Sequence, residues 1–221
     1  LIDEGEYNGT FAGASRNFYY ELTNDIDLGS YSLDGSSGSI FGIILDGNGY
    51  TLTTSSSSGI FGLSVFPSLP TSGMNIIDLQ NMRIHADNVT TSNFNYGLLA
   101  GEMAGNAITL NLDEVKFTGV VNATSISQVG SIVGQYTSSG IQGSINNVHS
   151  NVTLFSQGDA GGFFSNLRNI AITNSLYYGV VSDANTPSGI ADDFCCGASA
   201  TNVWFDQDVN PNATQNLAFV A

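Results

Sequence analysis

Positive charge is almost absent from this sequence: four Lys plus Arg stand against 19 Asp plus Glu in 221 residues, a formal net charge of −15. A chain so poor in cations cannot neutralise a run of phosphates, which excludes nucleic acid as a partner. Charge of either sign is scarce: only 10% of residues are charged, against about 25% in ordinary globular domains. No apolar run reaches the roughly 18 residues of a membrane-spanning helix. The longest are Ile40 to Leu45 and Asn216 to Ala221, so membrane insertion is not expected. Methionine does not open the chain and no basic segment precedes an apolar one. It therefore reads as a processed or truncated product whose leader is gone, which permits export.

Cysteine is confined to the adjacent pair Cys195 and Cys196. Without a Cys-x-x-Cys spacing or a His cluster there is no tetrahedral ligand set, so zinc is not expected. In an oxidising compartment the two can close a vicinal disulfide; two buried free thiols are the alternative. Helical spacing of apolar residues is also missing, and only the stretch Gly97 to Ala107 has room for a short helix.

What the sequence has instead is glycine and a repeat. Segments beginning at Gly59, Gly97, Gly130, Gly161 and Gly189 each continue into small and apolar residues, with leading glycines 38, 33, 31 and 28 residues apart. Each is followed by a second apolar run: Ile76 to Ile84, Ile108 to Phe117, Ile145 to Leu154, Ile172 to Val181, and Val203 to Phe205. In Ile108-Thr109-Leu110-Asn111-Leu112 the apolar residues alternate, which places one set inward on a strand. A unit of this length cannot bury its own apolar face, but stacked coils share one continuous core. The expected fold is all-β, a single parallel β-solenoid of short strands, with Ile108, Leu110, Leu112, Ile132, Ile145, Val152, Phe164 and Ile172 pointing inward.

Two local features qualify that pattern. Ser165 and Asp192 stand where Gly101 and Gly134 hold the motif's second glycine, and the insertion Phe66 to Pro70 reads as a projecting loop because proline cannot donate to a ladder. Asp46-Gly47-Asn48-Gly49 has the composition of a tight turn, since Asn and Gly tolerate positive φ.

The stretch Phe18 to Leu28, then Phe41-Gly42 and Leu45 to Leu52, resembles the first coils of bacterial surface β-helix proteins, and the coils beyond Leu52 resemble their GLUG repeats. Val129 to Leu154 and Ala160 to Val181 match that pattern best, and the resemblance extends over about residues 17–209. It implies a right-handed parallel β-helix in an extracellular protein and no particular chemistry. Residues 1–16 then form an N-terminal cap or exchanged strand, 17–209 the solenoid, and 210–221 a C-terminal tail or cap.

Catalysis finds little footing. The acid pairs are Asp25/Asp27, Asp113/Glu114, Asp192/Asp193 and Asp206/Asp208, whereas glycoside hydrolysis needs two carboxylates facing one bond. Neighbours such as Asp192 and Asp193 point to opposite faces of a strand. A lyase needs bases around a uronate, and only Arg16, Arg83, Lys116 and Arg168 are available. His85 and His149 lie far apart in sequence and read as surface or turn residues, not as bases. A calcium ion is conceivable at Asp25/Asp27 or Asp206/Asp208, but neither resembles an EF-hand loop, so no cofactor is expected.

The remaining readings are a structural surface protein and a carbohydrate- or surface-binding adhesin module; a polysaccharide-degrading enzyme ranks third. Trp204, Phe205, Tyr177, Tyr178, Tyr136 and Tyr96 are the aromatic candidates for a glycan surface. An ice-binding Thr-x-Thr array is represented only by Thr51 to Thr53. Sequons at Asn8, Asn88, Asn122, Asn151 and Asn212 mark candidate N-glycosylation sites. Both open ends of a solenoid invite strand addition. Leu1, Ile2, Leu217, Phe219 and Val220 are the expected contacts of a head-to-tail homopolymer, a filament or layer at the cell surface.

Overall fold

The computed structural model describes residues 18–32, 42–62, 64–65, 75–104, 108–125, 128–137, 141–182 and 187–206. Within them the fold is an all-β parallel solenoid without helix. Its broad sheet stacks Phe18–Glu21, Ile43–Asp46, Asn75–Thr91, Ile108–Ala123, Ile141–Asn146, Ile170–Tyr177 and Ser199–Phe205, every rung parallel. A narrow face is built from Asn95–Tyr96, Gln128–Gly130 and Ala160–Gly161, extended by a bridge from Gly161 to Ser188. The third face holds Ser64–Val65, Ala100–Met103, Val133–Tyr136, Phe164–Arg168 and Ala191–Cys195. Four consecutive turns, 75–103, 108–136, 141–168 and 170–195, therefore contribute to all three faces.

Ile108, Leu110, Leu112, Ile132, Ile145, Val152, Phe164 and Ile172 are all at most 1% exposed, as their alternation predicts. Leu79, Leu112, Ile145 and Ile172 form one vertical column. The column through Ile77 and Leu110 meets Gly143, where a Cβ would fall 1.9 Å from the Leu110 carbonyl oxygen. The leading glycines of the repeat have the same origin. A Cβ on Gly97 would stand 2.4 Å from the Val133 Cα, so the close stacking of coils at this corner admits only hydrogen there.

The stretch with room for a short helix holds instead, among its described residues, the strand Ala100–Met103, paired with Val133–Tyr136. A ladder partner in the adjacent coil supplies the hydrogen bonds that a helix would have had to make within itself, and tertiary pairing outweighs local propensity. Ser165 and Asp192 do occupy the register positions of Gly134, and Ser165 is buried. The tight turn is present, with Asn48 at φ 50° and Gly49 at φ 78°. The insertion 66–70 and the end segments 1–16 and 210–221 lie outside the described residues.

Candidate functional site

The broad sheet breaks its alternation at one position that recurs from coil to coil. Asn81, Glu114, Asn147, Asn174 and Asn202 adopt φ between 50° and 56°, so the chain bends and two successive polar residues face solvent before the next inward one. The pattern apolar-polar-polar-apolar recurs in sequence, as in Leu79-Gln80-Asn81-Met82 and Ile145-Asn146-Asn147-Val148. Asparagine dominates because its short side chain tolerates the left-handed region.

These corners bring side-chain amides of successive coils together. Asn202 Nδ2 donates to Asn174 Oδ1 at 2.8 Å, Asn174 Nδ2 to Asn146 Oδ1 at 3.0 Å, and Asn146 Nδ2 to Asp113 Oδ1 at 2.8 Å. Trp204 Nε1 donates to Asn202 Oδ1 at 3.0 Å while the indole remains 59% exposed. A polar ladder thus runs up the solvent face and ends beside an exposed aromatic ring.

Next to it lies a second column. Thr51, Arg83, Lys116, His149, Leu176 and Trp204 occupy one outward rung on successive coils. Arg83, Lys116, His149 and Trp204 are exposed. One rung further, Thr53, His85 and Thr118 form a column of their own, in which His85 Nδ1 meets Thr118 Oγ1 at 2.8 Å.

The acid pairs serve other ends. Asp25 accepts from the Thr51 amide at 2.7 Å and Asp27 from the Gly29 amide at 2.8 Å, so both carboxylates brace turns. Asp113 accepts from Asn146, and Glu114 sits at a left-handed corner. Asp193 accepts from Asn166 Nδ2 at 2.9 Å. Asp208 lies outside the described residues. Among those residues no group of three or more His, Cys, Asp or Glu is arranged to hold a metal ion.

Of the aromatic candidates, Tyr96, Tyr136 and Tyr177 are core residues with no exposure, Phe205 packs against the core, Tyr178 is half-buried, and Trp204 alone of the six is exposed. This corrects the reading of those three tyrosines as a glycan surface: alternation sends them inward. Burial raises all three phenol pKa values above the usual range near 10. Tyr177 donates to the Val152 carbonyl at 2.7 Å and Tyr96 to the Ser56 carbonyl at 3.1 Å. The Tyr136 hydroxyl is buried and has no protein partner among the described residues.

Cys195 and Cys196 are both free thiols; Cys195 is half-buried and Cys196 exposed at φ 60°. Their hydrogen bond and partial desolvation push the Cys195 thiol up, while the Arg168 charge opposes this. Of the sequons, Asn88 and Asn122 are exposed, and Asn122 stands in register between Thr90 and the exposed Phe155. Asn151 is half-buried with its Oδ1 enclosed. Asn8 and Asn212, like the assembly candidates Leu1, Ile2, Leu217, Phe219 and Val220, lie outside the described residues.

Sequence reasoning missed the amide ladder and the cationic column. The doubled polar residue in each second run was a signal for the first. The second needs the register, which spacing of 33, 33, 27 and 28 residues from Arg83 to Trp204 conceals.

No family model matches the chain, and no curated protein matches it. Among solved structures it is similar to a protein described as a "putative immunoglobulin A1 protease" from Bacteroides ovatus, at 16% identity and a TM-score of 0.43, over 87% of this chain and 69% of that one. Similarity at that level assigns no activity.

Proposed function

We propose that this chain is a non-catalytic, extracellular structural protein, related to the GLUG-type surface solenoids, whose solenoids stack end to end into a filament or surface layer. The observation that carries this reading is the fate of the inward column at its first coil. Tyr20 continues the stack of Leu45, Leu79, Leu112, Ile145 and Ile172. Leu79 and Leu112 are at most 2% exposed, yet Tyr20 is 36% exposed. At the other end the same column reaches, among the described residues, the half-buried Ala200. Among the described residues the apolar stack ends at Tyr20 and Ala200; a second solenoid placed against either end would continue it, and a head-to-tail contact that does not close a ring propagates.

An oxidising extracellular compartment is where Cys195 and Cys196 would form a vicinal disulfide and where Asn88 and Asn122, exposed among the described residues, would carry glycans. Sedimentation velocity tests the assembly. The wild-type chain should show a weight-average mass that rises with concentration, and Tyr20→Asp should remain a folded monomer because it buries an unpaired charge in the contact. Deleting residues 1–10 and, separately, 217–221 tests the expected strand contacts; loss of assembly from a folded monomer identifies exchange, whereas loss of fold identifies a self-cap. A wild-type chain that is monomeric at every concentration overturns the proposal.

A further inference from the structure

We infer that the outward column Arg83, Lys116, His149 and Trp204 is a binding strip for a linear anionic glycan, one that carries carboxylate or sulfate groups along its length. The inference stands apart from end-to-end stacking, since the strip lies on the lateral face.

Its starting point is an arrangement that fold stability does not explain. The chain has four Lys plus Arg and a net charge of −15, so cations have many carboxylates to pair with. Two of the four, Arg83 and Lys116, are instead direct ladder neighbours, and His149 is the next rung. Like charges directly opposite on neighbouring strands destabilise a sheet. No side-chain hydrogen bond or ion pair holds any of these three among the described residues. A local rule broken without a structural return marks a functional surface.

Geometry selects the ligand. Rungs of adjacent coils lie about 4.8 Å apart, so Arg83, Lys116 and His149 present one donor group on each of three successive coils along the solenoid axis, a match for a polymer with a charge on successive units. Asp113 and Glu114 beside Lys116 are exposed. They confine the positive strip to a single rung in width, which suits one extended chain and not a broad anionic surface. At its upper end the strip reaches Leu176 and then the exposed Trp204 ring, an apolar face for a pyranose. The flanking amides of Asn146, Asn174 and Asn202 supply donors and acceptors for hydroxyls. An acidic peptide would be drawn to an open strand edge, where backbone groups are unpaired; on this face the backbone groups are already engaged in the ladder. At physiological ionic strength charges beyond about 8 Å are largely screened, so the acidic excess elsewhere on the chain is damped at the strip.

The test is calorimetric binding at physiological salt to polygalacturonate, dextran sulfate, neutral dextran and poly-aspartate. The proposal expects binding of polygalacturonate or dextran sulfate and none of dextran; the tighter of the two identifies carboxylate or sulfate as the recognised group. The double variant Arg83→Gln/Lys116→Gln should weaken that binding by about tenfold or more, as expected for the loss of two charge-assisted contacts, and should flatten its salt dependence. Its melting temperature should stay level or rise, because the like-charge contact is gone. Trp204→Ala should also weaken binding and leave the fold intact. Failure of both anionic glycans to bind, wild-type affinity in the double variant, unchanged affinity in Trp204→Ala, or equal binding of poly-aspartate would each overturn the assignment.

Discussion

Asn202 donates its side-chain amide to Asn174 one coil below at 2.8 Å, and both residues hold left-handed backbone, φ 54° and 50°. The residue that turns the chain is thus also the residue that ties one coil to the next. The left-handed region costs a residue with a Cβ roughly 1–2 kcal/mol, a cost glycine avoids and asparagine partly offsets through local hydrogen bonding.

Substitution at this corner separates the two contributions. Asn174→Ala should destabilise the protein by about 1–2 kcal/mol in chemical denaturation, since it loses both the backbone tolerance and the amide rung. Asn174→Gly should cost less, because only the rung is lost. Equal destabilisation by the two would show that backbone conformation contributes nothing at this position.

Two buried tyrosines should respond differently to loss of the hydroxyl. Tyr177→Phe removes a 2.7 Å bond to the Val152 carbonyl and should cost about 1 kcal/mol. Tyr136→Phe removes a buried hydroxyl with no protein partner among the described residues and should be neutral or stabilising. Thermal melts of the two variants check the contrast.

Alkaline pH should unfold the solenoid through the same residues. Burial raises the pKa of Tyr96, Tyr136 and Tyr177 in the folded state. The unfolded chain releases these protons near pH 10 while the folded chain retains them, so unfolding becomes more favourable as pH rises above about 10. Below that pH their contribution is fully present. Absorbance titration should therefore show three of the nine tyrosines ionising only together with loss of the strand signal in circular dichroism. Independent ionisation of all nine before unfolding would contradict the burial.

For the cysteines, which are free thiols in this structure, export into an oxidising compartment should close the vicinal disulfide, and exported material should then resist alkylation until reduced. After reduction Cys196, which is exposed, should label ahead of the half-buried Cys195, whose raised pKa lowers its thiolate fraction. Rapid labelling of both without reductant would remove the disulfide.

Much of the fold was legible because two signals are local. Ile108, Leu110 and Leu112 declare their inward face by period-two spacing, and the leading glycines mark where coils approach too closely for a Cβ. The corner residues were less visible, since Asn81 or Asn147 looks like any turn asparagine until its place in a column is known. Tyr96, Tyr136 and Tyr177 look like candidate binding aromatics when counted by type and become core when their phase is fixed. The candidate site was hidden for a stronger reason. Arg83, Lys116, His149 and Trp204 are scattered along the chain, and only the register of five coils brings them into one line.

Negative-stain microscopy of the purified wild-type chain beside Tyr20→Asp tests the assembly most directly. The account predicts rods of uniform width whose lengths are multiples of one unit and grow with concentration, with Tyr20→Asp remaining at the single-unit length. Wild-type rods of one length at every concentration would contradict it.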